Sequence, residues 1–141
     1  MTESPAAPAA VPTATAVASI AGKVLLVTGS RGIGHGPAVE RILDGLAAGG
    51  RPARLIHGGA AGVDTLAAAW ARQHDIPTLC VRPRFVNKKN AYLARDRQMV
   101  DMADVVVAIW DGESKGTKYA KDYAADKGKL LKTALVFTTD C

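Results

Sequence analysis

A chain of 141 residues, 48% hydrophobic and 22% charged, suits one globular domain with a substantial core. It has no apolar run near the ~20 residues a membrane-spanning helix needs and no basic stretch leading into an apolar one as a secretory signal has, so a cytoplasmic protein is expected. Its 18 Lys and Arg against 13 Asp and Glu, a formal +5, favour anionic partners.

Residues 1–22 are rich in Ala, Pro and Thr, with Glu3 their only charge and Pro5, Pro8 and Pro12 preventing a continuous helix. They read as a disordered tail ahead of a domain over 23–141, whose 18 basic and 12 acidic side chains leave a formal +6. The basic residues cluster twice: Arg82, Arg84, Lys88, Lys89, Arg95 and Arg97, then Lys115, Lys118, Lys121, Lys127, Lys129 and Lys132. Such clusters attract nucleotides or nucleic acid as well as merely solvating a surface, and aromatics at 5% are too few for an extended base-stacking platform. Cys80 lies in an apolar run, Cys141 is last, and His35, His57 and His74 are scattered. Neither a disulfide nor a metal site has the required spacing, and no metal or other cofactor is expected.

In chain order, apolar strand-like runs alternate with helix-like segments. Lys23 to Thr28 has the continuous apolar character of a parallel strand buried on both faces and leads into Gly29-Ser30-Arg31-Gly32-Ile33-Gly34. Pro37 suits the first turn of a helix whose stripe is Val39, Ile42, Leu43 and Leu46, stopped by Gly49-Gly50. Ala53 to His57 is the second strand, followed by a glycine turn and a helix to about His74 burying Val63, Leu66, Ala67 and Trp70. Pro77 opens a third strand, Thr78 to Val81, and a basic loop precedes a helix from Asn90 to Met102 with Leu93, Arg97 and Val100 at helical spacing. Val105 to Trp110 is the most apolar strand. The loop Asp111 to Gly116 leads to a helix reaching about Lys127, and Leu130 to Phe137 closes the series.

Five strands interleaved with four helices predict an α/β domain, a Rossmann-like doubly wound parallel sheet with helices on both faces. Right-handed crossovers and one reversal give the order 3-2-1-4-5. The loops after strands 1, 2 and 4 then line one crevice at the carboxyl edge of the sheet. The central signal is His57-Gly58-Gly59-Ala60-Ala61-Gly62-Val63-Asp64, where glycines allow a sharp turn and a close approach of backbone to a ligand. A helix opening attracts anions, but the Asp64 carboxylate in its first turn would repel a phosphate. Asp64 therefore reads as facing a hydroxyl, an amine or a base, or else as a helix cap. The phosphate is expected at the next helix opening, which offers Ser114, Lys115, Gly116 and Thr117.

Thr28-Gly29-Ser30-Arg31-Gly32-Ile33-Gly34 is similar to the nucleotide loop of short-chain dehydrogenases, and Tyr123 and Lys127 have the spacing of their catalytic pair. The loop is one residue short between its first two glycines, however, and no acidic residue follows the second strand to hold an adenosine ribose. Tyr119 and Tyr123 are better read as packing residues one helical turn apart. A wider resemblance spans Lys23 to about Leu131. Thr28-Gly29-Ser30-Arg31, the His57–Asp64 run, Arg95-Asp96-Arg97-Gln98-Met99 and Asp111-Gly112-Glu113-Ser114-Lys115-Gly116-Thr117 resemble, in this order, the signals of the SLOG superfamily, in its YspA-type, YpsA-related branch. The second is also similar to the Gly-x-Ala-x-Gly-Ile-Asp run of DprA-type DNA-processing proteins, and Arg95 and Arg97 resemble their Arg-Asn-Arg segment.

The resemblance implies a nucleotide or nucleotide-derived ligand held by Gly29, Ser30, Arg31, His57, Gly58, Gly59, Gly62, Asp64, Arg95, Arg97, Asp111, Gly112, Ser114, Lys115, Gly116 and Thr117, with a role as a nucleotide sensor. The related LONELY GUY-type phosphoribohydrolases cleave the N-glycosidic bond of a nucleoside monophosphate. Their Arg-Lys-x-x-Met segment is echoed by Arg95 and Met99, but Ala120 stands where their Pro-Gly-Gly-x-Gly-Thr-x-x-Glu segment ends in glutamate. Such cleavage needs a carboxylate near the sugar, so Asp64, Asp111 and Glu113 are the substitutes available, and Asp64, Arg95 and Glu113 the candidate catalytic set. The DprA likeness implies a third activity, single-stranded nucleic-acid binding through Arg31, Arg95, Arg97 and the basic loop 82–89. Related folds pair through helices flanking the crevice, and the apolar residues of Asn90 to Met102 make a homodimer the expected state.

Overall fold

A computed structural model describes residues 19–83 and 89–137. The expected tail lies outside the described residues as far as position 18, and so do positions 84–88 of the basic loop. The elements are β1 (Val24–Gly29), α1 (Gly36–Leu46) with a 3-10 turn at Ala47–Gly49, β2 (Arg54–His57), α2 (Val63–Gln73), β3 (Thr78–Cys80), α3 (Lys89–Met102), β4 (Val105–Trp110), α4 (Lys115–Asp126) and β5 (Leu130–Leu135). All pairings are parallel, and the sheet order is β3-β2-β1-β4-β5. This is the Rossmann-like doubly wound sheet that the alternation of elements predicts.

The period-2 alternation of a strand sorts β1 between two cores. Leu25 and Val27 face a cluster with Val39, Leu43, Val63 and Trp70 of α1 and α2, whereas Leu26 joins Ile56 and Val106 under Met99, Val100 and Ala124 of α3 and α4. Both faces of the central strands are thus dry, which is why β1 and β4 read as unbroken apolar runs. Ile20, just ahead of β1, is also fully buried in the first cluster. Trp70 carries a polar handle within it: its indole N–H donates to Asp44 Oδ1 at 2.8 Å and ties α2 to α1. Among the described residues no helix is long and apolar enough to cross a membrane.

Two elements differ instructively from expectation. Helix α4 begins at Lys115, inside the expected loop, because the Asp111 carboxylate accepts the N–H groups of Glu113 and Ser114, both at 2.8 Å, and closes the turn early. On α3 the expected stripe Leu93, Arg97, Val100 is only in part the inward face: Val100 is buried and Leu93 half-buried, but Arg97 is exposed, while Arg95, Asp96 and Met99 are buried. The helix turns Tyr92, Arg95, Asp96 and Met99 toward the carboxyl edge of the sheet.

That edge is closely built at Gly29, the last residue of β1. A Cβ there would lie 2.5 Å from both the Ile109 carbonyl oxygen and the Val63 Cβ. Gly29→Ala should therefore destabilise the fold by about 1–3 kcal/mol through overpacking. Gly34→Ala, where a Cβ meets nothing within 4 Å, should be neutral or slightly stabilising. Urea unfolding of the two variants checks this, and equal stabilities would show that the β1 end is looser than described.

Candidate functional site

The chain leaves β1 at the edge of the sheet and is fixed at once by Ser30, which is 1% exposed. Its N–H donates to the Ile109 carbonyl, its carbonyl accepts from Ile33 and Val63, and its hydroxyl oxygen accepts the Asp111 N–H at 3.0 Å. One residue thereby joins the loops after β1 and β4 to the start of α2. Gly62 lies against this junction with φ +77°, and a Cβ would run into the Ser30 carbonyl. Ser30 and Gly62 are therefore spent on holding loops together.

Asp64 follows in the first turn of α2 but does not cap it; the helix has no side-chain cap, and Gly62 stands at its N-cap. Its Oδ2 instead accepts the N–H of Gly58 at 3.0 Å and of Ala60 at 3.3 Å, bracing the glycine turn from within. From α3, Arg95 reaches the same turn. Its Nη1 donates to the carbonyls of Gly58 (2.8 Å) and Val81 (3.2 Å), and its Nε donates to Asp96 Oδ1 at 2.9 Å. His57, at the end of β2, accepts the Gly59 N–H on Nδ1 at 3.1 Å, so the neutral ring carries its proton on Nε2. Burial, aided by Arg72 and Arg82, holds the His57 pKa below its ordinary value and keeps that form.

These elements enclose a cleft of about 130 Å3 lined by Thr28, Gly29, Arg31, Ala60, Asp64, Tyr92, Arg95, Asp96, Met99, Gly116 and Thr117. It draws on the loops after β1 and β2 and on α2, α3 and the start of α4. The first intrahelical bond of α4 runs from the Lys118 N–H to the Ser114 carbonyl at 3.1 Å, so the N–H groups of Lys115, Gly116 and Thr117 have no partner within the helix. Thr117 is 4% exposed, whereas Lys115 is fully at the surface. The guanidinium carbons of Arg31 and Arg95 lie 5.9 and 5.7 Å from the Tyr92 ring centroid, within cation–π range.

Of the residues expected at the site, Gly29, Arg31, Asp64, Arg95, Gly116 and Thr117 line the cleft. Ser30, Gly58 and Gly62 build its walls from behind. Asp111 holds the loop before α4, where the N–H groups of Ser114 and Glu113 keep its carboxyl below the usual range. Ser114 donates to Asp111 Oδ2 through its hydroxyl, and Glu113 and Gly112 are exposed. Arg97 points away and donates to the Tyr119 hydroxyl at 2.6 Å, while the Tyr123 hydroxyl donates to Asp101, so both tyrosines tie α4 to α3. Tyr92 and Asp96 were missed. With Arg95 and Met99 they form an i, i+3, i+4, i+7 stripe, a signal present in the sequence but hidden from a search for apolar stripes. Among the described residues no group of three or more His, Cys, Asp or Glu is placed to hold a metal ion.

A doubly wound sheet with a polar cleft at its carboxyl edge, fed by two arginines and a helix opening, defines a Rossmann-like protein with an anion-compatible site. Residues 23–87 match the profile of the YAcAr family, described as the YspA, cpYpsA-related SLOG family, in agreement with the resemblance carried by the motifs. A solved structure of DNA processing protein A from Helicobacter pylori, described for its unique single-stranded DNA binding mode, shares the fold with a TM-score of 0.62 at 22% identity. The likeness covers 78% of this chain but only 64% of that one. No curated protein matches the sequence.

Burial raises the Asp64 pKa from 3.8 to about 6, outweighing the two backbone N–H groups and Arg95, which act in the opposite direction. Because the folded protein holds this proton more tightly than the unfolded chain, Asp64 contributes stability below pH ~4 that is lost as pH rises through ~6. Relative to Asp64→Asn, the wild type should lose on the order of 2–3 kcal/mol between pH 4 and 7. His57 is common to both proteins and cancels in the comparison, whereas Asp96, also raised by burial, is coupled to Asp64 and contributes to the difference. Urea unfolding at intervals across this range measures it, and parallel curves would show that Asp64 is ionised throughout.

Proposed function

We propose that the chain binds a nucleotide or nucleotide-derived ligand in this cleft, with a phosphate at the opening of α4, and acts as a sensor of that ligand. The observation that carries the reading is the convergence, on one cleft, of an unsatisfied helix N-terminus, the buried Thr117 hydroxyl and the guanidinium groups of Arg31 and Arg95. Free N–H groups and a positive helix end suit a phosphate. The Tyr92 ring supplies a face for a base, and the cleft volume of 130 Å3, below the ~300–1,000 Å3 of sites that engulf a drug-sized molecule, implies that the base lies outside the deepest part.

A second reading, cleavage of the N-glycosidic bond of a nucleoside monophosphate, draws support from Asp64. A cleft carboxyl with a pKa near 6 is suited to general acid work close to neutrality. Glu113 does not line the cleft, which leaves Asp64, with Arg95 to fix its surroundings, as the residue to carry it. The likeness to a protein that binds single-stranded DNA supports a third reading, in which the cleft and its basic surroundings hold a strand.

The first reading is tested by replacing Lys115 and Thr117 together with alanine. Nucleotide affinity by calorimetry should fall about tenfold or more, from the loss of one charge-assisted and one neutral hydrogen bond. The ligand-free melting curve should indicate a loss of about 1 kcal/mol, of the size of a missing cap. Unchanged affinity would show that the phosphate lies elsewhere. Release of free base during the same titrations would favour the second reading, and affinity that grows with oligonucleotide length and falls steeply with salt would favour the third.

A further inference from the structure

Two carboxyl groups in the cleft are not accounted for by phosphate binding. Asp64 comes from α2 and Asp96 from α3; they are 6% and 7% exposed, and both line the cleft. Each has one oxygen committed. Asp64 Oδ2 takes the two backbone N–H groups of the glycine turn, and Asp96 Oδ1 takes the Arg95 Nε–H. The other oxygen of each accepts no hydrogen bond among the described residues. An ionised carboxylate only accepts, and a buried acceptor left without a donor is costly. Whatever fills this part of the cleft must bring donors. A phosphate at neutral pH brings none of use and is repelled.

We infer that these carboxylates read the sugar of the bound nucleotide, Asp96 and Asp64 accepting hydrogen bonds from the vicinal 2′- and 3′-hydroxyls, so that ribonucleotides are bound in preference to 2′-deoxyribonucleotides. The inference rests on the nucleotide reading above. Two further observations favour a sugar over the amino group of a base. The cleft is small, and its remaining polar lining is Thr28, Arg31, Arg95 and the α4 opening, where a 5′-phosphate attached to that sugar finds its donors. Acceptors supplied by two helices are suited to a diol, whose adjacent hydroxyls each donate once. Arg95 holds Asp96 in place through its Nε–H, and Asp64 is held by the turn it braces, so both are preorganised.

The test is calorimetric titration of the full chain with AMP and dAMP, UMP and dUMP, and ribose 5-phosphate and 2-deoxyribose 5-phosphate. The ribo member of each pair should bind about tenfold or more tightly, the effect of one hydrogen bond to a charged group, and the ratio should persist when the base is absent. Asp96→Asn keeps an acceptor for Arg95 but weakens the reading of the hydroxyl. It should compress the ratio to within about threefold while the deoxy member binds much as before, which a general loss of structure would not produce. Should that variant not fold, the wild-type ratios and Asp64→Asn decide. Equal binding within pairs overturns the sugar inference and leaves the nucleotide reading standing. A preference that follows the amino group of adenine and vanishes with uracil also overturns it. If no compound binds, both readings fall.

Discussion

The site depends on the burial of one guanidinium. Arg95 is 9% exposed, and a charge so placed must be neutralised and hydrogen-bonded, or its desolvation would exceed what packing returns. Its partners are the Asp96 carboxylate and the carbonyls of Gly58 and Val81, which lie just beyond the ends of β2 and β3. Gly58 is held from both sides, its N–H by Asp64 and its carbonyl by Arg95. A Cβ on Gly58 would stand 2.5 Å from Arg95 Nη1, so the glycine and the arginine require each other. Lysine has no planar fork of donors with which to span the same three acceptors.

This explains how the three loop ends divide their tasks. The loops after β1 and β2 spend most of their backbone groups on one another and on Arg95, which makes them walls. The loop after β4 is closed by Asp111, whose carboxylate uses two N–H groups and stops there. The next three N–H groups, at the start of α4, have no partner among the described residues, and two of them are on residues lining the cleft. Donor capacity for an anion is concentrated at one end of one helix because most of the backbone N–H groups of the neighbouring loops are satisfied internally. Arg31 and Arg95 balance the two buried carboxylates, so the helix opening decides where negative charge is welcome.

The sheet was legible in the sequence because strands buried on both faces need unbroken apolar runs, and Val24–Gly29 and Val105–Trp110 have nothing else to be. The order followed from crossover handedness and the position of the glycine loops. Legibility ended where a pattern has two physical causes. A glycine reports that a Cβ is not tolerated, but not whether a ligand or the protein's own chain occupies the space; at Gly58 and Gly62 it is the chain. On α3, Leu93 and Val100 are the apolar residues at helical spacing, whereas the face that lines the cleft is aromatic, charged and sulfur-bearing. Helical spacing of Tyr92, Arg95, Asp96 and Met99 carries that face, but nothing in hydrophobicity marks it. Asp64 was half legible: its need for a donor was plain, and that most of the need is met by the turn before it was not.

The position of Ala120 has more meaning than a missing acid. It is completely buried on the inner side of α4, beside Thr117 and Ala124. A glutamate there would have to bury an ionised group in a packed interface, with an opposing charge or a rearranged helix to compensate. Where the segment of LONELY GUY-type enzymes that this region resembles ends in glutamate, this chain has Ala120, and the acids of the cleft come from α2 and α3. The carboxylates therefore face the cleft from beside the glycine turn and Arg95 instead of from α4. Chemistry at the sugar would thus have to be carried out by Asp64 or Asp96, groups already bonded on one oxygen and raised in pKa by burial. An acid anchored in this way holds its position well but loses part of its freedom to exchange a proton and move, which suits recognition of a hydroxyl better than turnover.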